Sequence, residues 1–339
     1  MRESTGFVPD GSLKFRGQDM RQSVSAEPVL CRLAGYPEAE RCFPLLTLTV
    51  AVPPFPYIEF ISDLSAVNPD STSPTPGSLL GPADPPPFRT LGNDEPQFPL
   101  LLVCDHASST IPAALNNLGL DEALLNEHIA LDIGAAAVTQ RLAEKLGVPA
   151  VFCNYSRLVV DCNRPLAHRH AFPDYSDNTP VPGNQDLSDA DKQQRIDAIF
   201  HGYHNAVAEG LQQLQSLAPA PAIIAIHSFT PTMDGYQRPW HCGILWDKDE
   251  RLAVPMIKGL RNLQSFEVGD NEPYSGRHPE DYTLDFHGEQ QGLPHVAVEL
   301  RQDLIAHDAG AEQWAGILAA VLKPLLHDEQ LFAARMDWS

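Results

Sequence analysis

The segment AIIAIHSF, at residues 222–229, decides the fold of this chain. Its β-branched isoleucines favour a strand, and a continuous apolar run is typical of a strand that is covered on both faces. Such strands occur mainly in α/β proteins, in which helices pack on both sides of a largely parallel sheet. The segment therefore predicts an α/β fold.

Further strands and helices alternate on both sides of this segment. The predicted strands are PLLLVCDH (99–106), one or two within AVFCNYSRLVVDCNRP (150–165), HCGILW (241–246) and HVAVELR (295–301). Apolar spacing at three and four residues predicts helices over 132–146, from about 188, over 250–263, over 281–291 and before the C-terminus. This alternation predicts a doubly wound, largely parallel sheet with helices on both faces.

The first hundred residues have a different composition. They contain sixteen of the 31 prolines, concentrated in stretches such as NPDSTSPTPGSLLGPADPPPF (68–88). Proline fixes φ and removes a backbone donor, and the segment has no helical or strand periodicity. We therefore predict a proline-rich, disordered leader over 1–95 and a folded domain over 96–332. The alternative is an edge strand within RCFPLLTLTVA (41–51).

Charge and cysteine usage restrict the partners and the compartment. The 23 Lys and Arg residues stand against 44 Asp and Glu, so the net charge is −21, which disfavours nucleic acid and anionic membranes. The six cysteines form no C-x-x-C pair, and the N-terminus lacks the apolar region of a secretory signal. These features predict a cytoplasmic protein with reduced thiols and no membrane partner.

Three predicted strands end in ionisable side chains. These side chains are His106, His227 and Glu299. In open α/β sheets, ligands bind at the carboxyl ends of the strands. Two imidazoles and one carboxylate would satisfy a catalytic zinc ion and leave a position open for water. Taken singly, each histidine is more simply explained as a hydrogen-bonded residue at a strand end.

Asp132, in the segment EHIALDIGAAA, is the candidate for the carboxylate ligand. The alternative is that Asp132 caps the N-terminus of the helix that follows. His128 lies four residues earlier and is the reserve ligand. Glu299 has the position of a general base, because partial burial raises a carboxyl pKa toward neutrality. The alternative for Glu299 is an ion pair with Arg301, two residues further along the strand.

The segment SRLVVDCNRP (156–165) concentrates cations in a chain that has few of them. Arg157, Asn163 and Arg164 are candidates for binding an anionic substrate, because arginine pairs with carboxylates through two nitrogens. The alternative is a surface network of salt bridges. No G-x-G-x-x-G, P-loop, G-x-S-x-G or H-E-x-x-H motif is present.

Several ordered motifs resemble those of the N-formylglutamate amidohydrolase family, from about residue 98 to 327. They are CDHAS (104–108), HIALDIGA (128–135), NYSRLVVDCNRP (154–165), AIHSF (225–229), NEPYS (271–275) and TLDFHGEQQGLPHVAVELRQDLI (283–305). The family is related to zinc carboxypeptidases and aspartoacylases. The resemblance implies a phosphorylase/hydrolase-like α/β catalytic domain with one zinc ion per chain.

The resemblance also implies roles for individual residues. His106, Asp132 and His227 would be the metal ligands, and Glu299 would take a proton from the attacking water and return it to the leaving nitrogen. Asn163 and Arg164 would hold a substrate carboxylate, with Arg157 as an additional clamp. The family string has an apolar residue at the position of Cys162, which a buried thiol can replace.

The resulting expectation is a zinc-dependent enzyme that hydrolyses N-formyl-L-glutamate to formate and L-glutamate. One alternative is a related amidohydrolase that acts on another N-acyl amino acid or on a cell-wall amide. A second is a non-catalytic binding module on the same fold. The expected partner is a small anionic substrate, and the sequence leaves the oligomeric state open.

Overall fold

Seven strands form one mixed sheet in a computed structural model that describes residues 79–92, 95–277 and 281–335. They are β1 (Phe88–Leu91), β2 (Leu100–Cys104), β3 (Ala150–Cys153), β4 (Ala222–Phe229), β5 (Cys242–Leu245), β6 (Val268–Asp270) and β7 (His295–Arg301). The spatial order is β1-β3-β2-β4-β7-β5-β6. The central strands β3, β2, β4 and β7 are parallel, so their carboxyl ends share one edge.

Six α-helices connect the strands in the described ranges. They are α1 (Ala135–Leu146), α2 (Asp189–Arg195), α3 (His201–Leu214), α4 (Glu250–Asn262), α5 (Tyr282–His287) and α6 (Asp308–Leu326). A capping box of Ser188 and Asp191 starts α2, and a π-helical turn joins α2 to α3. None of the described helices has the length and apolar content needed to cross a bilayer.

The hydrophobic core lies on both faces of the sheet, because side chains alternate along each strand. On β2, Leu102 packs with α1, α4 and α6, whereas Leu101 packs on the opposite face with α3. Every residue of β2 is buried, as expected for a strand covered on both sides. The predicted doubly wound, largely parallel α/β fold with helices on both faces is therefore confirmed.

Several details differ from the sequence-based expectations. β1 lies before the predicted boundary at residues 95/96 and pairs antiparallel with β3, so the sheet begins within the proline-rich region. β5 runs antiparallel to β7, because an apolar run does not encode strand direction. Only 150–153 of the segment 150–165 is a strand. The possible strand at 41–51 and the leader up to residue 78 lie outside the described residues.

Candidate active site

The three predicted metal ligands meet at the carboxyl edge of the central strands. His106 follows β2 by two residues, His227 lies near the end of β4, and Asp132 lies in the turn before α1. All three side chains are buried, and one ligand atom from each lies within 4.8 Å of the other two. The cluster could therefore hold a metal ion.

Both histidines turn the same ring nitrogen toward Asp132. Nδ1 of His106 is 3.3 Å from Oδ2 of Asp132, and Nδ1 of His227 is 2.8 Å from the same oxygen. On the other side of each ring, Nε2 of His106 is 2.8 Å from Oδ1 of Asp161, and Nε2 of His227 is 3.1 Å from Oδ2 of Asp105. At His106, a proton on Nε2 directed at Asp161 leaves the Nδ1 lone pair available to a metal. The ion pair of His227 with Asp105 favours the same tautomer at His227.

Asp105 and Asp161, which hold the two rings, were not identified as site residues from the sequence. The hydroxyls of Tyr203 and Thr283 donate to Oδ1 of Asp105 at 2.8 and 2.5 Å. The backbone N–H of Asn163 donates to Oδ1 of Asp161 at 2.9 Å. Asp105 directly precedes His106 at the end of β2, but an aspartate at that position does not by itself indicate a contact with His227.

The charges at the cluster favour a cation. Burial opposes ionisation of Asp105, but hydrogen bonding to His227 and the charge of His227 lower the pKa of Asp105 to about 2. Burial opposes protonation of His227 as well, yet Asp105 and Asp132 raise its pKa well above the ordinary value. Burial and Arg157 oppose protonation of His106, whose pKa is nevertheless raised by its neighbouring carboxylates. The site therefore stabilises positive charge among its carboxylates.

Glu299 lies beside this cluster because of the strand register. It is opposite His227 of β4 on one side and opposite Gly243 of β5 on the other. Its side chain is buried, and within the described residues its Oε2 has no hydrogen-bond partner. Burial raises the pKa of Glu299 to about 7. The alternative ion pair with Arg301 is wrong, because Arg301 pairs with Asp303 at 2.8 Å.

The structure also decides between the alternatives for Asp132 and His128. Gly134 precedes the first residue of α1, and no side chain caps that helix, so the capping role for Asp132 is wrong. Gly134 has φ of 83°, and a Cβ there would lie 2.3 Å from the carbonyl oxygen of Ile305. His128 is outside the cluster and pairs instead with Asp177, with 3.0 Å between Nε2 and Oδ2.

All seven predicted site residues line one cavity of about 260 Å³. It is lined by His106, Asp132, Arg157, Asn163, Arg164, His227 and Glu299, together with Ser228, Leu245, Tyr274, Ser275 and Asp281. The last five were not predicted as site residues from the sequence. Tyr274 and Ser275 lie in the NEPYS motif, which gave no indication of a role for either side chain.

The three predicted substrate-binding residues differ in how they are held. The terminal nitrogens of Arg157 donate to Oδ1 of Asp132 at 3.3 Å and to Oδ2 of Asp161 at 3.1 Å. Oδ1 of Asn163 accepts the backbone N–H of Thr283 at 3.0 Å, so its amide nitrogen is the remaining donor of this side chain. The guanidinium of Arg164 donates to the carbonyl of Asn163 at 3.1 Å.

A candidate metal cluster and a buried carboxyl group share one cavity at the carboxyl edge of an α/β sheet, which is the arrangement of a hydrolase. A family model described as N-formylglutamate amidohydrolase matches residues 98–306, more than half of the chain. The chain therefore belongs to the N-formylglutamate amidohydrolase family, as the sequence motifs indicated, and its family identifies it as an amidohydrolase.

Solved structures similar to this chain include the following two. The gene product Atu2144 from Agrobacterium tumefaciens has 36% sequence identity and a TM-score of 0.71, over 74% of this chain and 99% of that chain. An N-formylglutamate amidohydrolase from Ralstonia eutropha JMP134 has 16% identity and a TM-score of 0.54, over 73% of this chain and 98% of that chain, and shows the same fold. No curated protein sequence matches this chain.

Proposed function

We propose that this protein uses one zinc ion per chain to hydrolyse the amide bond of an N-acyl amino acid, and that its substrate is N-formyl-L-glutamate. The products are formate and L-glutamate. One observation carries the proposal: the carboxyl group of Glu299, whose Oε2 accepts no hydrogen bond from the described part of the chain, shares a cavity with the cluster of His106, Asp132 and His227.

The donor set fits zinc. Two imidazole nitrogens and one carboxylate oxygen match the ligands of a catalytic zinc site, which keeps a further position open. Asp105 and Asp161 hold the imidazole rings, as outer carboxylates do at zinc sites. When bound, the metal polarises the acyl carbonyl and acidifies water.

Glu299 performs the proton transfers. Its pKa of about 7 in the metal-free protein allows it to gain and lose a proton near neutral pH. The ionised carboxylate accepts a proton from the attacking water. The protonated carboxyl group then donates that proton to the nitrogen of the leaving amino acid, so that one residue serves as base and then as acid.

The substrate carboxylates bind at the Asn163–Arg164 side of the cavity. Arg164 supplies the positive charge, and the amide nitrogen of Asn163 supplies a neutral donor. Arg157 contributes a second cationic contact through the hydrogens that its pairs with Asp132 and Asp161 leave free. These cations oppose the field of a chain whose net charge is −21. The cytoplasmic location predicted from the sequence stays a prediction.

The experiment is a panel of N-formyl, N-acetyl and longer N-acyl amino acids, with added zinc, in which amine release is measured. N-Formyl-L-glutamate should give the highest kcat/KM, and metal analysis should find about one zinc ion per chain. Glu299→Gln should lose orders of magnitude in kcat while it keeps its zinc. Glu289→Gln, at a buried glutamate outside the cavity, is the matched control. An active Glu299→Gln variant would eliminate the proposed base, and preference for a substrate with one carboxylate would eliminate formylglutamate.

A further inference from the structure

The loop from Asn271 to Arg277 brings Tyr274 to the active-site cavity, and the backbone holds this loop closely. A Cβ on Gly243 of β5 would lie 2.0 Å from the carbonyl oxygen of Glu272. A Cβ on Gly276 would lie 2.5 Å from the backbone nitrogen of Trp246. The loop therefore packs on the strands at a distance that only glycine permits at these two positions.

The side chain of Asn271 holds the loop by hydrogen bonds to two backbone N–H groups. Oδ1 of Asn271 accepts the backbone N–H of Trp246 at 3.0 Å and the backbone N–H of Gly276 at 2.9 Å. The backbone N–H of Asn271 in turn donates to the carbonyl of Ile244 at 2.9 Å. These contacts hold both ends of the backbone segment that carries Tyr274.

Arg238 holds the ring of Tyr274 from one side. Its guanidinium carbon is 5.0 Å from the Tyr274 ring centroid, which is within the range of a cation–π contact. Arg238 is itself buried, and it donates to the carbonyl and the hydroxyl of Thr230 at 3.2 Å each. The phenol is thus supported by a side chain that is already anchored to the segment following β4.

The hydroxyl proton of Tyr274 has no acceptor within the described residues. Arg238 can only donate hydrogen bonds, so it cannot take this proton. Burial, followed by the charge of Glu299, raises the pKa of Tyr274, so the phenol stays neutral and keeps its proton at neutral pH. The result is a donor that lines the cavity and that no described side chain or carbonyl accepts from.

We propose that Tyr274 is a substrate-binding residue whose hydroxyl donates a hydrogen bond to a carboxylate of the N-acyl amino acid. This inference rests on the proposed function. A substrate with two carboxylates needs hydrogen-bond donors beyond Arg164. Arg157 can offer only some of its hydrogens, because its two terminal nitrogens already donate to Asp132 and Asp161. Tyr274 supplies a further donor without another charge, and thereby selects for a substrate that bears a second carboxylate.

The test compares Tyr274→Phe with Tyr236→Phe. Both tyrosines are partly exposed, Tyr274 by 41% and Tyr236 by 59%, but Tyr236 lies on the hairpin of residues 232–237 and does not line the cavity. Tyr274→Phe should raise KM for N-formyl-L-glutamate by about 10-fold to 100-fold, as loss of a hydrogen bond to a charged group does, with kcat within about threefold. Tyr236→Phe should match the wild type. An unchanged KM, or a loss in kcat at constant KM, would overturn the inference.

Direct binding separates this inference from the proposed function. If the wild-type protein hydrolyses no member of the N-acyl panel, the proposed function fails, and the Tyr274 contact is then measured by calorimetric titration with L-glutamate. The Kd should rise by about 10-fold or more in Tyr274→Phe and stay constant in Tyr236→Phe. Equal Kd values for Tyr274→Phe and the wild type, or no binding by the wild type, would refute the contact.

Discussion

Replacing Glu299 with Gln should stabilise the metal-free protein at alkaline pH. Burial raises the pKa of Glu299 from its ordinary value of 4.5 to about 7, and each tenfold change in proton affinity corresponds to about 1.4 kcal/mol. Ionising this carboxyl group in the folded protein therefore costs about 3 kcal/mol that the unfolded chain does not bear. Glutamine has no such cost.

The direction of this pH dependence follows from proton binding by Glu299. Between about pH 4.5 and pH 7 the folded protein keeps the Glu299 proton while the unfolded chain has lost it, so the free energy of unfolding of the wild type falls as pH rises. Relative to its difference from the wild type near pH 5, Glu299→Gln should gain about 2.5 kcal/mol by about pH 8.

Urea unfolding of metal-stripped protein, followed by far-UV circular dichroism at several pH values, measures this difference. Glu289→Gln is the control, because Glu289 is equally buried. Burial opposes its ionisation too, but hydrogen bonding to His295 outweighs burial and lowers the pKa of Glu289. Glu289 is then ionised in both the folded and the unfolded protein above about pH 5. The difference in free energy of unfolding between Glu289→Gln and the wild type should therefore not change with pH in this range. If the free energy of unfolding of Glu299→Gln differed from that of the wild type by the same amount at every pH, the raised pKa of Glu299 would be refuted.

Three further predictions concern the site. Asp161→Asn should weaken zinc binding by about 10-fold to 100-fold in a chelator competition, because it loosens the ring of the ligand His106. Asp177→Asn, at a His–Asp pair outside the cluster, should leave zinc binding unchanged. Equal zinc affinities of Asp161→Asn and the wild type would contradict the role of Asp161. Arg164→Gln should raise KM for a dicarboxylate substrate by about 10-fold or more, and an unchanged KM would remove Arg164 from the binding site. Gly243→Ala should displace the Tyr274 loop and raise KM, with zinc content retained; wild-type kinetics would show that the loop tolerates the methyl group.

The central strands and their polar ends were predictable because they depend on local patterns. AIIAIHSF is β4 over the predicted residues, and the predicted strand 295–301 coincides with β7. His106, His227 and Glu299 could be placed at one edge because parallel strands end together. Asp132 was harder to assign, since a ligand and a helix cap have the same local sequence, and only the position of His227 distinguishes them.

Features that depend on distant contacts could not be predicted. Asp105 and Asp161 hold the histidines across 122 and 55 positions of sequence, and neither position differs in sequence from an ordinary aspartate. The reversed direction of β5 and the addition of β1 at the sheet edge depend on which strands pair, which apolar patterns do not encode. Tyr274 reaches the cavity because its loop passes close to Gly243 of β5 and Gly269 of β6, where a side chain would meet the backbone of Glu272.

The loop that carries Tyr274 has a consequence for how new selectivity could arise. His106, His227 and Glu299 lie on or directly after the parallel strands β2, β4 and β7, and Asp132 lies before α1, whereas Tyr274 and Ser275 follow β6, in a separate part of the chain. Tyr274 and Ser275 can therefore be exchanged while Asn271 and Gly276 hold the ends of the backbone path. A library restricted to those two positions is a direct route to enzymes with altered acyl amino acid preference and an unaltered reactive centre.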